Sequence, residues 1–544
     1  MTLESAVTNN NSPDHEVIII GAGVCGIYML HRMLKLGLDV TLLEAGDGPG
    51  GTWHWNRYPG ARFDSESYTY GYSFSKELLQ EWSWSEHFAA QPETLSYLKY
   101  VINKFDLASH MQFDSQVKAA TFDEESGYWR IDTAEGRTLT SRYLLTAIGM
   151  LSAATKPRLE GLDSFEGVSF HTYNWPETPV ELKGKKVAVI GTGATGVQVI
   201  QSIAGEVGEL TVFQRRPNWC APLHNSPISD EEQTKIKASF DDIFARCMKT
   251  PGGFIHGPDR REFATVSEED RMEFWENLYA SPGFGVWLGN FRDVLTNLDA
   301  NAEFSEFIAN KIRGRVQDPA VAEMLIPKDH GFGSRRVPME TRYYEAYNRD
   351  NVQLVNVSET PIEKITKKGI KTSDAEYEFD IIIYATGFDA ITGAFDRINI
   401  TGLNGQTLRS KWDKGPLTLY GLQVAGFPNL ITLAGPQGAS VSTNFPPGIE
   451  NAVDWTTDLI KYMGEHNYKR VEASDEAEQA WVKHVKEMYG HTLVSTTKSW
   501  FTGYNSNVEG HDILRHMVYF GGAPKYRERI AQIAANDYEG FEFA

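Results

Sequence analysis

The sequence predicts an α/β protein with two Rossmann-like dinucleotide-binding domains and a helical insertion. Three observations carry this expectation. Residues 185–196, KKVAVIGTGATG, read as a short buried strand running into a glycine turn and a helix. Residues 16–26, EVIIIGAGVCG, repeat that grammar near the N-terminus. Between residues 224 and 334 the strand–helix alternation gives way to helical periodicity alone. At 544 residues the chain exceeds a single core, so more than one domain is expected.

Composition narrows the partners. The formal charge of −20 argues against nucleic acid, whose phosphates demand concentrated Lys and Arg, but not against a nucleotide cofactor. The three cysteines, Cys25, Cys220 and Cys247, form no C-x-x-C pair. No disulfide framework, metal site or redox dithiol is expected, and so few cysteines fit the cytoplasm. Residues 1–14 are polar and read as a disordered tail, not a signal peptide. No stretch reaches the roughly 18 apolar residues of a membrane span. The C-terminal GFEFA carries no retention or peroxisomal signal.

In the first domain, expected over residues 15–150, the strand 16–20 enters the turn Gly21, Gly23, Gly26. A helix follows, with Ile27, Leu30, Met33 and Leu34 on one face and Gly37 ending it. Residues 40–43 form the second strand, and Glu44 stands 23 positions after Gly21. A carboxylate there accepts hydrogen bonds from ribose hydroxyls, so this site suits FAD or NAD. Residues 50–64, GGTWHWNRYPGARFD, are too rich in Gly, Trp and Pro for regular structure and read as a functional loop, with Arg62–Asp64 as an ordinary ion pair the bland alternative. Residues 96–105 read as a helix, 112–120 and 128–133 as strands around the turn 124–127, and 143–149 as a buried strand ending in glycine.

The second domain is expected in two parts, residues 151–223 and 335–387. Its turn carries Gly191, Gly193 and Gly196: the first for tight turning, the second for close approach of a pyrophosphate, the third for helix–strand packing. Its second strand, 210–213, ends in Gln214, Arg215 and Arg216, not an acid. Guanidinium groups pair with a 2′-phosphate that a carboxylate would repel, so this site suits NADP(H). Within the insertion, 224–334, Ser229 and Glu232 form a capping box ahead of a face of Ile236, Phe240, Ile243, Phe244 and Cys247. A further helix after Ser267 carries Met272, Trp275, Leu278 and Tyr279. The loop 330–338, HGFGSRRVP, precedes the returning α/β pattern of 343–348, the strand 352–357 and the buried run 379–387, FDIIIYATG. Residues 388–544 return to the first domain and include the loop 443–447 and Trp500.

Together these residues resemble the type I Baeyer–Villiger monooxygenases over about residues 15–540. The most specific element is FEGVSFHTYNWP at 165–176, which fits F-x-G-x-x-x-H-x-x-x-W-P; GTWHWNRYPGARFD at 51–64 is the second. The resemblance implies FAD on the first fingerprint and NADPH on the second, with O2 activated as a flavin C4a-peroxide and inserted beside a ketone carbonyl to give an ester or lactone. It implies that Arg336 lies beside the flavin C4a and that Asp64 orients it. It assigns Arg215 and Arg335 to the 2′-phosphate, Trp500 to a mobile loop over NADP, and His171 to a linker that couples domain rotation to turnover. The candidate FAD contacts are Gly21, Gly23, Gly26, Glu44, Gly51, Thr52, Trp53, Arg62, Asp64, Tyr70 and Val117. The candidate NADP contacts are Gly191, Thr192, Gly193, Ala194, Thr195, Gly196, Val197, Gln198, Arg215, Arg216, Arg335, Arg336 and Trp500.

Two departures stand out. The family usually has Lys-Arg at Arg335-Arg336, and the run after Trp500, FTGYNSN, differs from the family's usual Gly-Ala-Asn-Ile-Pro-Gly. A fixed guanidinium favours an anion beside it and does not act as an acid, which suits Arg336 to nucleophilic oxygen transfer. The competing readings are a flavin monooxygenase that oxidises nitrogen or sulfur and a non-catalytic redox sensor. Trp175-Pro176 with Arg336 speaks against the first, and intact glycines against the second. The expected partners are a ketone and O2, with no nucleic acid, no membrane and at most weak oligomers. The residues leave open linear, cyclic and steroidal ketones.

Overall fold

The structure, a computed structural model, describes residues 12–544. The proposed tail therefore falls mostly outside the described residues, but Asp14 does not: its carboxylate accepts from the Thr140 N–H at 2.9 Å. The chain is tied down from there, one residue before β1 (His15–Ile20). Val17, Ile18 and Ile19 are β-branched and sealed from solvent, as a strand covered on both faces requires. α1 (Val24–Lys35) leaves the glycine turn, and Gly37, at φ +78°, redirects the chain into β2 (Val40–Leu43). β2 pairs in parallel with β1, Val17 opposite Val40.

α2 (Gln91–Lys104) starts earlier than the predicted helix, because Pro92 fits its first turn, where no N–H is needed. The predicted strand 112–120 is instead two pieces, β3 (Met111–Gln112) and β4 (Val117–Asp123). Asp114 takes a positive φ between them, and the Ser115 N–H donates to the Glu44 carbonyl at 2.8 Å. β5 (Tyr128–Thr133) and β6 (Thr138–Thr146) complete an antiparallel run.

The second sheet is wholly parallel. It comprises β7 (Val168–His171), β8 (Lys186–Ile190), β9 (Glu209–Gln214), β10 (Val352–Asn356) and β11 (Ile381–Tyr384), in the order β10-β9-β8-β11-β7. α3 (Ala194–Ile203) crosses over from β8 to β9. Strand order reverses around β8, which places the mouth of its glycine turn at a topological switch point, where open α/β sheets bind ligands.

The insertion is helical, with a correction. The predicted single face breaks at Ser239, which leaves the helical region at φ −109°, ψ 7°. The result is α4 (Asp230–Ala238) and α5 (Phe240–Cys247), and only Ile236, Phe240 and Cys247 of the predicted stripe are buried. Ser229 accepts from the Glu232 N–H and caps α4. In α6 (Glu268–Ala280) Trp275 is sealed in the core, but Met272 faces out. α7 (Leu298–Arg315) ends in Arg315, whose guanidinium bonds both Glu340 and Glu345 and so fastens the insertion to the segment after Arg336.

The chain then returns to the first sheet. β12 (Asn399–Thr401) pairs with β4, and β13 (Leu430–Thr432) pairs with β6. Residues 443–444 of the predicted loop are irregular, but 445–447 are the first turn of a 21-residue helix, α8 (Phe445–Glu465), because Pro446 and Pro447 sit where a helix tolerates them. α8 packs against α1. All three cysteines are buried and free. Among the described residues no helix is long and apolar enough to cross a membrane.

Candidate active site

At the first glycine turn, Gly21 sits at φ +104°, and a Cβ there would press on the Ala147 carbonyl. A Cβ on Gly26 would collide with the Gly21 carbonyl, so α1 closes onto β1 only with glycine. Gly23 lies against Gly51, itself at φ +53°. The α1 N-terminus has no side-chain cap and no acid in its first turn, which leaves its N–H groups to an anion. Glu44 is buried at the lip of the turn. One carboxylate oxygen accepts from the Ala22 N–H at 2.7 Å and the other from the Gly46 N–H at 2.8 Å. A cradle that a single Cβ would fill, with a fixed carboxylate at the ribose position, fits FAD.

The loop after this turn forms an aromatic wall. Thr52 and Trp53 open a one-turn helix, Thr52–Trp55. The Trp53 indole donates to the Tyr70 hydroxyl at 3.2 Å, and Tyr70 stacks on Phe63 at 4.2 Å. Val117 is buried at the start of β4, two residues after Ser115. Arg62 clamps the loop through one nitrogen: Nη1 donates to Glu86 and to the Phe88 carbonyl, both at 3.0 Å, and the side chain stays 22% exposed.

The second turn repeats the first with one informative difference. Gly191 at φ +108° and Gly196 are forced by the Ala385 and Gly191 carbonyls, whereas a Cβ on Gly193 would enter open space. Gly193, Ala194 and Thr195 thus present an open backbone edge at the α3 N-terminus, which suits a pyrophosphate. Thr192 donates to the Arg216 carbonyl at 3.0 Å and ties the turn to the arginine pair. Arg216 is exposed, and Arg215 donates to Ser506 at 3.0 Å. Val197 and Gln198 face the protein interior. Val197 lies wholly in the core. Gln198 accepts from Tyr58 at 2.8 Å and donates to the Arg62 carbonyl at 3.0 Å, a bridge from α3 to the aromatic loop.

That bridge sets the reactive corner. Asp64 is almost fully buried, and its partner is Arg336, at 2.6 Å, not the neighbouring Arg62. The Met339 N–H also donates to that oxygen at 3.2 Å, while the other carboxylate oxygen has no partner. Arg336 further donates to the Val337 carbonyl at 2.9 Å, and its guanidinium carbon stands 5.4 Å from the Phe284 ring centre. One edge of the guanidinium is fixed, and the side chain keeps 28% exposure for a ligand. Glu66, two residues on and buried, bonds His256 of the insertion at 2.6 Å.

Arg335 points elsewhere. It donates to Asp329 at 2.9 Å, and its Nε is buried without a partner. Burial, together with the Arg216 charge, lowers its pKa, while the bonds from His330 and Arg335 hold the Asp329 carboxyl well below the usual range. Trp500 is half-buried against Phe501, with ring centres 4.3 Å apart, and Thr497 of the same segment donates to the Ser334 carbonyl at 3.2 Å. His171 ends β7, buried, with Nδ1 accepting from the Tyr173 N–H at 3.0 Å and its ring edge-on to Phe388. Burial pushes its pKa down to about 4, so it is neutral near pH 7. Sequence reasoning missed Tyr58, Phe284, Asp329 and Ser506. Tyr58 and Ser506 lie in stretches already singled out, but nothing in their spacing marks a cross-domain contact.

The geometry agrees with the comparisons. The profile of the family described as pyridine nucleotide-disulphide oxidoreductase matches residues 18–252. The 2-oxo-Δ3-4,5,5-trimethylcyclopentenylacetyl-CoA monooxygenase of Pseudomonas putida is 45% identical over 98% of this chain and 99% of its own length. A Baeyer–Villiger monooxygenase of Pseudooceanicola batsensis is 38% identical over 99% of this chain and 98% of its own. The solved structure of OTEMO with FAD and NADP matches at TM-score 0.95 and 44% identity, covering 98% of this chain and 100% of that one.

Proposed function

Because the chain belongs to the Baeyer–Villiger monooxygenases, we propose that its ketone meets the oxidant at the Asp64–Arg336 corner and that its substrates are cyclic ketones. The protein is an NADPH-consuming, FAD-dependent monooxygenase that inserts one oxygen atom of O2 next to a ketone carbonyl, giving an ester or lactone. The alternative reading, heteroatom oxidation, is not favoured. The buried Asp64–Arg336 pair carries the proposal for the site.

FAD, when bound, supplies the electron carrier and the oxygen-activating ring. Glu44 and the Gly21–Gly23–Gly26 cradle would hold its ribose and pyrophosphate, with Trp53, Tyr70 and Val117 as further walls. Gly193, Ala194, Thr195, Arg215, Arg216 and Arg335 would hold NADP(H). Asp64 fixes Arg336 in one orientation before substrate arrives, which is the preorganisation electrostatic catalysis needs. A guanidinium is a donor that does not act as an acid, so Arg336 would stabilise anionic oxygen without protonating it. Its free N–H groups are then available to the alkoxide that forms when a nucleophile adds to the ketone carbon. Phe284, beside Arg336, gives the ketone an apolar face and excludes water. Trp500 would cover the nicotinamide, and the buried, neutral His171 would act as a packing element of the linker, not as an acid or base.

Support for a cyclic substrate comes from the 45% identical relative, named for a cyclopentenone ring. The test is turnover of cyclopentanone and cyclohexanone with NADPH and 18O2, alongside acetone, a long-chain 2-ketone and methyl phenyl sulfide. Lactone carrying one labelled oxygen per NADPH is the expected product. Faster conversion of the acyclic ketones would overturn the substrate class, and sulfoxide alone would overturn the reaction.

A further inference from the structure

We propose that Asp329 sets how strongly this enzyme prefers the 2′-phosphorylated nicotinamide cofactor, by holding Arg335 while keeping a carboxylate at the edge of the phosphate subsite. The inference rests on the reading that Arg215, Arg216 and Arg335 form that subsite.

Four observations carry it. Asp329 is gripped on both oxygens: Oδ2 accepts from Arg335 at 2.9 Å and Oδ1 from His330 Nδ1 at 2.6 Å. The grip stands on a rigid base, because the His330 ring is 1% exposed and its carbonyl takes the Trp219 indole N–H at 2.9 Å. Arg335 spends only part of its donor set on Asp329, since its Nε is buried without a partner. Arg216 reaches the same cluster, as its charge bears on both Arg335 and His330, and the Thr192 bond ties its backbone to the second glycine turn. Two guanidinium groups therefore share one carboxylate's surroundings, beside the second glycine turn.

That carboxylate has opposite effects on two ligands. A 2′-phosphate brings about two negative charges beside Asp329, which repels it and competes with it for Arg335. A free 2′-hydroxyl brings no charge, and Asp329 can accept its proton, as acids do in NAD sites. Arg335 in place of the family's usual lysine strengthens the competition, because a planar fork engages a carboxylate better than an ammonium does. Asp329 thus lowers the preference for the phosphorylated cofactor below what the three arginines alone would give.

The test uses the FAD-loaded enzyme and two fragments that differ at the ribose, 2′,5′-ADP and 5′-AMP, titrated calorimetrically into wild type, Asp329→Asn, Arg216→Ala and Arg335→Gln. Asparagine keeps an acceptor for Arg335 and removes the charge. It should tighten 2′,5′-ADP about three- to tenfold, as expected for charges several ångströms apart at a half-exposed site, without tightening 5′-AMP. The NADPH-to-NADH ratio of kcat/KM should rise in step. Unchanged or weaker 2′,5′-ADP binding by Asp329→Asn, with the two arginine variants weakened, would overturn the role of Asp329 alone. Wild-type 2′,5′-ADP binding by both arginine variants would overturn the subsite, and this inference with it.

Discussion

The role proposed for Arg336 depends on Asp64, which holds it at 2.6 Å. The carboxylate is buried, bonded to one guanidinium edge and to a backbone N–H, and its remaining oxygen has no hydrogen-bond partner. Removing the arginine strands that charge, which is worse than removing both partners. Arg336→Ala should keep FAD and still oxidise NADPH, yet release the oxygen as H2O2 and lower ester yield by at least about 100-fold, the usual scale for losing one electrostatic donor. Gas chromatography and a peroxide assay check both halves. Arg336→Lys should fall between, since an ammonium keeps the charge and loses the fork. A second residue-scale expectation concerns His171. Its folded pKa of about 4 lies below the ordinary 6.5, so the unfolded chain binds a proton there that the folded chain does not. Its contribution to stability is complete above about pH 6.5 and is lost as pH falls toward 4, up to about 3 kcal/mol in all. In denaturant unfolding at pH 7.5 and 4.5, His171→Gln should lose less stability between the two than wild type.

The glycine-turn units were the most legible elements. Strand, glycines, helix and the acid or arginine that follows are all local in sequence, and tertiary packing has little freedom to override them. Gly196 shows why: a Cβ there meets the Gly191 carbonyl, a backbone atom with nowhere to go. Gly196→Ala should therefore weaken NADP+ binding tenfold or more by titration, while the bound-FAD spectrum stays intact; Gly26→Ala should do the reverse and abolish FAD binding. Elsewhere local pattern misled. The stripe through Ile236 and Phe244 looked continuous, but Ser239 breaks it, and Pro446-Pro447 looked like a loop because their tolerated place in a first turn depends on where the helix begins. Partner choice was illegible in the residues alone: Arg62 and Arg336 are alike in sequence, and only the family resemblance paired the distant one with Asp64, as the fold does at 2.6 Å.

At the scale of the whole molecule, the aromatic loop is one point of contact between the two nucleotide units. Tyr58 and Arg62 meet Gln198 on α3, Asp64 meets Arg336, and Glu66 meets His256 of the insertion. One loop thus touches both glycine-turn units and the helical insertion. Gln198→Ala removes two hydrogen bonds of this junction, worth about 1 kcal/mol each. The expected outcome is unchanged binding of both cofactors but a larger share of NADPH consumed without product, read as the ratio of lactone formed to NADPH oxidised. An unchanged ratio would make the junction purely structural.

The buried cysteines have a practical consequence. Cys25, Cys220 and Cys247 are each at most 3% exposed, and burial raises all three thiols, Cys247 to about 12. Thiolate is the reactive form, so the native chain offers almost none to maleimides or to the peroxide that an oxygenase leaks. A single cysteine placed on the surface, for instance at the exposed Leu298, would be the one site a dye or an immobilisation resin could find. Such a handle needs no prior removal of native thiols.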